Sequence, residues 1–330
     1  MISRRTLITV GTGLAGLVAG SRLALSKSTA RYAVVSTWDF GAAANAAAFA
    51  QLSRGGSLLD AVEQGARVPE ADPSNHSVGM AGYPDRDGHV TLDAIIMDDQ
   101  GHLGAVAALE NVVHAVSVAR KVMEETPHTL LVGEGATQFA LQHGFTSQRL
   151  LTPESDAAWH EWLKQSHYAP QANIENLTPS LKPGSASNHD TLGILACNSA
   201  GQVAGACTTS GMAFKLRGRV GDSPQCGAGL FVEAGVGAAT SSGVGEEVTR
   251  IAGSARVVAS MRAGKSPQAA CEEAIRHLVR LRGEATKGEQ VGFLALSAAG
   301  EVGAFALLPG FTFAVTDRNG QTHVLPSPHL

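Results

Sequence analysis

The sequence predicts a mixed α/β sandwich of two or four layers. From residue 32 onward, short apolar runs typical of buried strands alternate with patterns of helical spacing, and both halves of the chain contain both kinds of element. Glycine is frequent, with 38 residues, and aromatic residues make up only 5%, which indicates many tight turns and close contacts between small side chains. The 330 residues suffice to bury a large core, as one big domain or two small ones.

The first half of this pattern begins with a predicted strand at residues 32–36. A helix follows at residues 57–68, because Ser57 is a good N-cap, Asp60 occupies the capping-box position and apolar residues repeat at helical spacing. The apolar run at residues 90–97 predicts a buried strand. Further helices are predicted at residues 117–125 and 155–165.

Between residues 169 and 187 the regular patterns stop, and prolines, a glycine and several serines indicate a flexible linker. Two strands follow, at residues 191–197 and 203–208, and the turn-forming residues between them predict a hairpin. A later helix has Ser266 as its cap and Pro267 at its first position, and Gly283 ends it. Two more hairpin turns are predicted at residues 298–300 and 318–320.

The first thirty residues resemble a secretory signal. Arg4-Arg5 precedes an apolar run that ends at Gly20, and small residues follow, which favours a signal of the twin-arginine type and a periplasmic or secreted protein. The run of about 15 residues is shorter than the ~20 that a membrane-spanning helix needs. An alternative is that Gly11–Gly16 fits GxGxxG and that the chain is a dinucleotide-binding oxidoreductase, but Ser36 stands where a ribose-binding carboxylate is wanted.

Composition argues against several classes of partner. The formal net charge is −4, so no basic excess favours nucleic acid, and we expect no membrane association after the signal is removed. The four cysteines form no CxxC pair and the histidines show no metal-ligand spacing, so we expect neither a metal nor a cofactor. We interpret the cysteines as small buried apolar residues, and a disulfide becomes possible only after export.

The Asp190-Thr191 bond, where the linker meets a predicted strand, is a candidate site of self-cleavage. The Thr191 hydroxyl can attack the carbonyl of Asp190, and the resulting ester can be hydrolysed, which frees the α-amine of Thr191. Such an amine has an ordinary pKa of about 7.7–8.0 and can serve as the base for the threonine's own hydroxyl. Taken alone, the tetrapeptide Asn188–Thr191 favours a simple turn that enters a strand.

Six segments, in order, resemble the glycosylasparaginase (aspartylglucosaminidase) family of N-terminal nucleophile hydrolases, in the type 2 asparaginase group. They are Ser36-Thr37-Trp38-Asp39-Phe40, Pro84-Asp85-Arg86-Asp87-Gly88, Asn188-His189-Asp190-Thr191, Ala206-Cys207-Thr208-Thr209-Ser210-Gly211, Gly218-Arg219-Val220-Gly221-Asp222-Ser223-Pro224 and Ser241-Ser242-Gly243-Val244-Gly245-Glu246-Glu247. The resemblance implies a four-layer αββα sandwich, cut between Asp190 and Thr191 into an α chain of residues 31–190 and a β chain of residues 191–330.

The resemblance also implies roles for individual residues. Thr191 matches the family nucleophile, and Thr209 matches a threonine that orients it. Arg219 and Asp222 match the pair that holds the substrate's α-carboxylate and α-ammonium, which suits a bidentate guanidinium and an acceptor carboxylate. A structural salt bridge between Arg219 and Asp222 is the alternative interpretation.

Further matches surround these residues. Ser242 and Gly243 match an oxyanion hole. The family more often has threonine at position 242, and the methyl group of threonine restricts the rotamer of the hydroxyl. The other matches are to pocket-lining or substrate-contacting positions. They are Trp38, Phe40, Gly245 and Asp93. Plain core packing is the alternative for the two aromatic residues, and Asp39 stands where the family often has an uncharged residue.

The implied activity is self-processing followed by hydrolysis of the side-chain amide of N4-(β-N-acetylglucosaminyl)-L-asparagine through a β-aspartyl ester. Free asparagine or β-aspartyl peptides are the alternative substrates, and an uncleaved, inactive binding protein is a third possibility. The resemblance further implies a dimer of cleaved α/β heterodimers.

Overall fold

A computed structural model describes residues 32–165 and 191–330, which fold into two β-sheets with helices. The strands lie at β1 Tyr32–Thr37, β2 Leu92–Asp98, β3 Leu103–Leu109, β4 Leu130–Val132, β5 Leu192–Cys197, β6 Val203–Thr209, β7 Leu230–Glu233, β8 Gly237–Gly243, β9 Val291–Ser297, β10 Val302–Ala306, β11 Thr312–Asp317 and β12 Thr322–Pro326. The helices lie at α1 Gly41–Ser53, α2 Leu58–Glu70, α3 Ala115–Glu125, α4 Gly133–Gln142, α5 Pro153–Gln165, α6 Gly245–Arg250, α7 Gly253–Arg262 and α8 Pro267–Arg282.

The larger sheet has eight strands in the order β12-β11-β1-β5-β6-β2-β3-β4, and the smaller has four in the order β10-β9-β8-β7. Neighbouring strands run antiparallel, except that β3 and β4 are parallel. Strands β5 and β6 form a hairpin in which Leu192 lies opposite Thr208. This register places Thr191, which precedes β5, close to the end of β6 near the centre of the larger sheet.

Three apolar clusters hold these elements together. One lies between helices α1–α3 and the larger sheet and includes Val34, Leu92 and Ile194. A second lies between the two sheets, and a third joins the smaller sheet to helices α7 and α8. Burial of such side chains contributes roughly 1.5–3 kcal/mol each, so the faces of both sheets are held firmly.

The mixed α/β prediction is confirmed, and the predicted strands, helices and hairpins are present with ends that differ by a few residues. The capping box of α2 is observed, since Asp60 N donates to Ser57 Oγ at 3.1 Å and Ser57 N donates to an Asp60 carboxylate oxygen at 3.0 Å. Ser266 likewise accepts a hydrogen bond from Ala269 N at the start of α8.

Some elements were not predicted. Helix α1 is rich in alanine and contains almost no polar residues, so it has no clear amphipathic pattern. Helix α6 is only six residues long, and β4 has three. In the described ranges no helix is long and apolar enough to cross a bilayer. The predicted signal segment, residues 1–30, and the predicted linker, residues 169–187, lie outside the described residues.

The cysteines agree with the sequence interpretation in part. Cys197, Cys207 and Cys271 are buried, as expected of small apolar residues, whereas Cys226 is exposed. No disulfide joins any of the four within the described residues. Burial raises the pKa of the Cys207 thiol to about 12, so this group stays protonated at neutral pH.

We predict that Gly193→Ala destabilises the fold by roughly 1–3 kcal/mol, the usual cost of forcing extra volume into a packed core. A Cβ at Gly193 would lie 2.1 Å from Thr240 Oγ1 on the opposite sheet. Thr240 cannot easily turn away, because its hydroxyl donates to Gly229 O at 2.9 Å. Urea denaturation followed by tryptophan fluorescence measures the loss.

The matched control is Gly135→Ala in helix α4, where a Cβ meets no atom within 4 Å. That change is expected to leave the free energy of unfolding equal or slightly higher, because alanine is the better helix former. Equal stabilities for the Gly193 and Gly135 variants would contradict the close approach of the two sheets.

Candidate active site

A small cleft opens where the two sheets meet, and five of the predicted site residues line it. From the sequence predictions it contains Thr191, Thr209, Arg219, Asp222 and Gly243. Residues that were not predicted complete the lining. They are Gly211, Met212, Ala213, Gly221 and Ser223. The larger sheet supplies the threonines and the smaller sheet supplies Gly243, so the cleft exists only because the sheets stack.

Thr191 is 5% exposed and immediately precedes β5. Thr37, at the end of the neighbouring strand β1, holds the backbone that follows Thr191, on both sides of Leu192. The Thr37 hydroxyl donates to Thr191 O at 2.7 Å and accepts from Gly193 N at 2.9 Å. A buried carbonyl with such a partner is costly to displace, so Thr37 fixes where the chain enters β5.

Thr209 is the last residue of β6 and is buried. Its hydroxyl donates to Ser77 O at 3.2 Å and accepts from Gly211 N at 2.9 Å. These bonds keep the hydroxyl at the cleft, on the strand next to β5.

Asp93 lies opposite Thr209 on strand β2 but does not line the cleft. One carboxylate oxygen accepts from Ala108 N at 2.8 Å, and the other, Oδ2, is buried without a hydrogen-bond partner in the described part of the chain. Burial raises the pKa of Asp93, while the positive charges of Lys215 and Arg219 oppose that shift. The structure therefore gives Asp93 a place behind the cleft, in a buried group of charges.

Lys215 is the positive member of this group and is 1% exposed. Its ammonium donates to Ser210 O at 2.9 Å. Burial lowers the pKa of Lys215, and the charge of Asp93 works in the opposite direction. The lysine thereby ties the segment after Thr209 to the core beneath it.

Arg219 does not pair with Asp222 in the structure. Its Nε and Nη2 atoms donate to the two carboxylate oxygens of Glu246 at 2.9 and 2.8 Å. Burial acts to lower the pKa of Arg219, but the hydrogen bond and charge of Glu246 prevail and raise it. The guanidinium therefore lines the cleft as a permanent, oriented cation.

Asp222 faces the cleft from a buried position and accepts a hydrogen bond from Ser241 Oγ at 2.6 Å. Burial raises the pKa of the Asp222 carboxyl, whereas the Ser241 bond and the Arg219 charge lower it. Gly245 gives this carboxylate space, because a Cβ there would lie 2.6 Å from Asp222 Oδ1. Together with Arg219, the cleft offers one cationic and one anionic group to a zwitterionic ligand.

Ser242 and Gly243 end strand β8 of the smaller sheet. Gly243 has φ of 112°, and a Cβ there would lie 2.1 Å from Gln290 O, so no other residue fits. Ser242 is 1% exposed, and its hydroxyl accepts a hydrogen bond from Trp38 Nε1 at 2.9 Å. The indole thus contacts the serine that the sequence assigned to an oxyanion hole.

The remaining predicted residues are not among those that line the cleft. Trp38 is 3% exposed and packs edge-on against Phe311 at 5.0 Å, so it lies within the core beside Ser242. Phe40 is half-buried, packs against apolar clusters and is not among the residues that line the cleft. Asp39 is half-buried and accepts from Phe40 N at 2.7 Å. Asp190 lies outside the described residues.

The whole pattern agrees with a known family. A sequence model described as asparaginase matches residues 14–325 of the chain. The chain belongs to this asparaginase family.

Curated relatives narrow the comparison. The N(4)-(β-N-acetylglucosaminyl)-L-asparaginase of Elizabethkingia miricola is 52% identical over 297 residues, which are 89% of this chain and 84% of that protein. The protein of the same name from Rattus norvegicus is 39% identical over 264 residues, 74% of this chain and 76% of its own length. The resemblance to glycosylasparaginases is confirmed by these relatives.

The sequence did not assign roles to several residues of this asparaginase-family site. Thr37, Ser241 and Glu246 occur inside the quoted motif segments, yet only the structure shows which neighbours they contact. The sequence showed only that these residues occur within a motif. That fact cannot distinguish a residue that lines the cleft from one that holds such a residue in place. Lys215 had no signal, since an isolated lysine in a glycine-rich segment is ordinarily exposed.

Proposed function

We propose that this asparaginase-family chain cleaves itself before Thr191 and then hydrolyses the side-chain amide of N4-(β-N-acetylglucosaminyl)-L-asparagine. The observation that carries the proposal is one cleft that combines Thr191 with the oppositely charged pair Arg219 and Asp222. A nucleophile beside one cation and one anion suits hydrolysis of the side-chain amide of a free amino acid, whose α-carboxylate and α-ammonium these charges can bind. The printed names of the relatives support the choice of substrate.

The proposal begins with processing. The Thr191 hydroxyl attacks the Asp190 carbonyl, the peptide C–N bond breaks, and an ester joins Asp190 to Thr191 Oγ. Water hydrolyses this ester, leaving a carboxylate on Asp190 and a free amine and hydroxyl on Thr191. The clamp on Thr191 O and Gly193 N by Thr37 supports this step, because it keeps the backbone after the cut in place.

Catalysis then uses the new amine. It accepts the proton of Thr191 Oγ, and the oxygen attacks the side-chain amide carbon of the substrate. The C–N bond breaks, the proton passes to the leaving glycosylamine, and a β-aspartyl ester remains on Thr191. Water cleaves this ester to release aspartate and restore the hydroxyl.

Binding and charge stabilisation fall to the rest of the cleft. Arg219 holds the α-carboxylate of the substrate in a bidentate pair, and Asp222 accepts from its α-ammonium. Ser242 Oγ and Gly243 N donate to the oxygen that becomes negative, and Thr209 orients Thr191. Because Trp Nε1 can only donate, its bond makes Ser242 Oγ the acceptor there and leaves the serine hydrogen for the oxyanion.

The proposal extends to architecture and location. The three successive apolar clusters support a four-layer αββα sandwich, in which the two sheets form the middle layers. The twin-arginine-like start supports export to the periplasm or beyond, and the resemblance supports a dimer of cleaved heterodimers. The oxidoreductase alternative rests on residues 11–16, outside the described part of the chain, and no feature of the cleft favours it.

We predict that purified wild-type protein shows two bands on a denaturing gel and that Thr191→Ala shows one, because only a hydroxyl or thiol at this position can attack the preceding carbonyl. Edman sequencing of the second fragment should begin Thr-Leu-Gly-Ile. Two bands of unchanged size in Thr191→Ala would place the cut elsewhere. A single, inactive wild-type band would favour the uncleaved binding protein.

We further predict that kcat/KM for the glycosyl-asparagine exceeds that for a β-aspartyl dipeptide or free asparagine by at least about tenfold. The three share the groups that Arg219 and Asp222 bind and differ only in the leaving group, so the ratio reports the leaving-group side alone. Each is assayed by aspartate release at equal enzyme concentration. A higher value for the dipeptide or asparagine would move the assignment to a β-aspartyl peptidase or asparaginase.

A third prediction concerns the bond between Trp38 and Ser242. Trp38→Phe should lower kcat about fivefold to tenfold with little change in KM, because a hydrogen bond of about 1 kcal/mol that orients an oxyanion donor is lost. In a Ser242→Thr background the same change should cost less than about threefold, since the threonine methyl restricts the rotamer instead.

The matched control is Trp159→Phe, which removes an indole hydrogen bond to Arg86 O between two residues that do not line the cleft, and it should leave kcat unchanged. Equal losses from Trp38→Phe in both backgrounds would argue that the indole acts through packing alone.

A further inference from the structure

The carboxylate of Glu246 contacts the arginine of the cleft from one side only. It accepts hydrogen bonds from Nε and Nη2 of Arg219, which together form one edge of the guanidinium. A guanidinium presents five N–H donors in a fixed plane, so this pairing occupies two of them. The second edge, formed by Nη1 and the other hydrogen of Nη2, keeps its donors.

The second edge has no competing partner in the described part of the chain, and the residue beside it has no side chain. Among residues 32–165 and 191–330, Nη1 of Arg219 has no hydrogen-bond partner. Gly221 lies beside it, and a Cβ there would come within 2.9 Å of Nη1. Both Arg219 and Gly221 line the cleft. A ligand carboxylate can therefore bind this edge without displacing Glu246.

The two residues differ in their exposure. The side chain of Arg219 is 16% exposed, whereas that of Glu246 is 42% exposed. Glu246 is therefore the more exposed partner, and only Arg219 is among the residues that line the cleft. Hydrogen bonding to Arg219 lowers the pKa of Glu246 against the effect of burial, so the carboxylate is charged at neutral pH.

Glu246 is close in sequence to the proposed oxyanion donors. Ser242 and Gly243 end β8, and Glu246 is the second residue of α6, which begins at Gly245. Glu246 is therefore fixed to the same rigid segment as the proposed oxyanion donors. A pair that ties Arg219 to this segment also fixes the distance between the α-carboxylate grip and the oxyanion donors.

We propose that Glu246 is a positioning residue that sets the selectivity of the cleft for a free α-carboxylate, by holding the guanidinium of Arg219 in the plane that the carboxylate needs. The choice of the glycosyl-asparagine as substrate rests on the function proposed above. The binding of an α-amino acid in the cleft does not depend on that function. An exposed ion pair without such a role contributes little to stability. Its loss would not weaken the binding of one ligand group more than that of another.

The test uses Glu246→Gln and Glu246→Ala in the processed enzyme. Loss of orientation should raise KM for the glycosyl-asparagine about tenfold in Glu246→Ala, with kcat within about threefold of wild type. Glu246→Gln keeps one acceptor oxygen and should show a smaller increase. Glu233→Gln is the matched control, because it removes a carboxylate from the pair with Arg262 outside the cleft and should change neither constant.

Binding of two small ligands gives a readout that does not depend on turnover. Calorimetry should show that Glu246→Ala weakens L-aspartate about tenfold and leaves L-isoasparagine, whose α-carboxylate is an amide, within about twofold of its wild-type affinity. Equal weakening of both ligands would reduce Glu246 to a structural residue. Tighter L-aspartate binding would mean that Glu246 competes with the ligand, and it would overturn the proposal.

The two proposals fail separately. If the wild-type enzyme hydrolyses the glycosyl-asparagine and the Glu246 variants match it in KM and ligand binding, only the role of Glu246 is wrong. If the wild-type enzyme does not hydrolyse that substrate, yet Glu246→Ala selectively loses L-aspartate, the proposed function is wrong and the role of Glu246 stands.

Discussion

The close approach of the two sheets at Gly193 and Thr240 is the constraint on which the site depends. At this point the larger sheet has no side chain, and the Thr240 side chain of the smaller sheet fills the space. Two residues before Gly193 is Thr191, and two residues after Thr240 is Ser242. Any wider spacing would separate the proposed nucleophile from the proposed oxyanion donors, which must act on the same carbonyl group.

Burial of charge behind the cleft is the second constraint. Asp93, Lys215 and Asp222 are each at most 3% exposed, and transfer of isolated charges from water to such positions is strongly unfavourable. Partial compensation comes from the mixture of signs and from bonds to Ala108 N, Ser210 O and Ser241 Oγ. Stability alone would favour apolar residues at these positions, so the electrostatic arrangement indicates selection for a function.

The sequence predicted most of the fold because its signals were local. The capping box of α2, the Ser-Pro start of α8 and the hairpin turns depend on neighbouring residues and appear in the structure. Helix α1 was missed because its alanines occur on all sides and its few polar residues do not mark one exposed face. Stacking of the sheets is a long-range property that local patterns do not determine, so they left two or four layers open, and only the family resemblance specified four.

Five of the residues to which the sequence analysis gave roles lie in one cleft, but the contacts that they make were not predicted. The cleft brings together Thr191, Thr209, Arg219, Asp222 and Gly243, as the motif order implied. The sequence suggested that Arg219 and Asp222 share a substrate or pair with each other, yet each has its own partner, Glu246 and Ser241. Motifs specify which residues converge, whereas the hydrogen bonds depend on side-chain directions that only packing determines.

The strand order also explains how the enzyme can tolerate the proposed cut. In the larger sheet, β1 from the first part of the chain lies between β11 and β5 from the second part, and β6 from the second part pairs with β2 from the first. Separating the two fragments would break the ladders that flank β1 and the ladder between β6 and β2, and it would expose the apolar faces between them. The backbone bond before Thr191 is therefore not needed to hold the fold together. In the proposed mechanism, its loss frees a nucleophile and a base without unfolding the sheet that positions them.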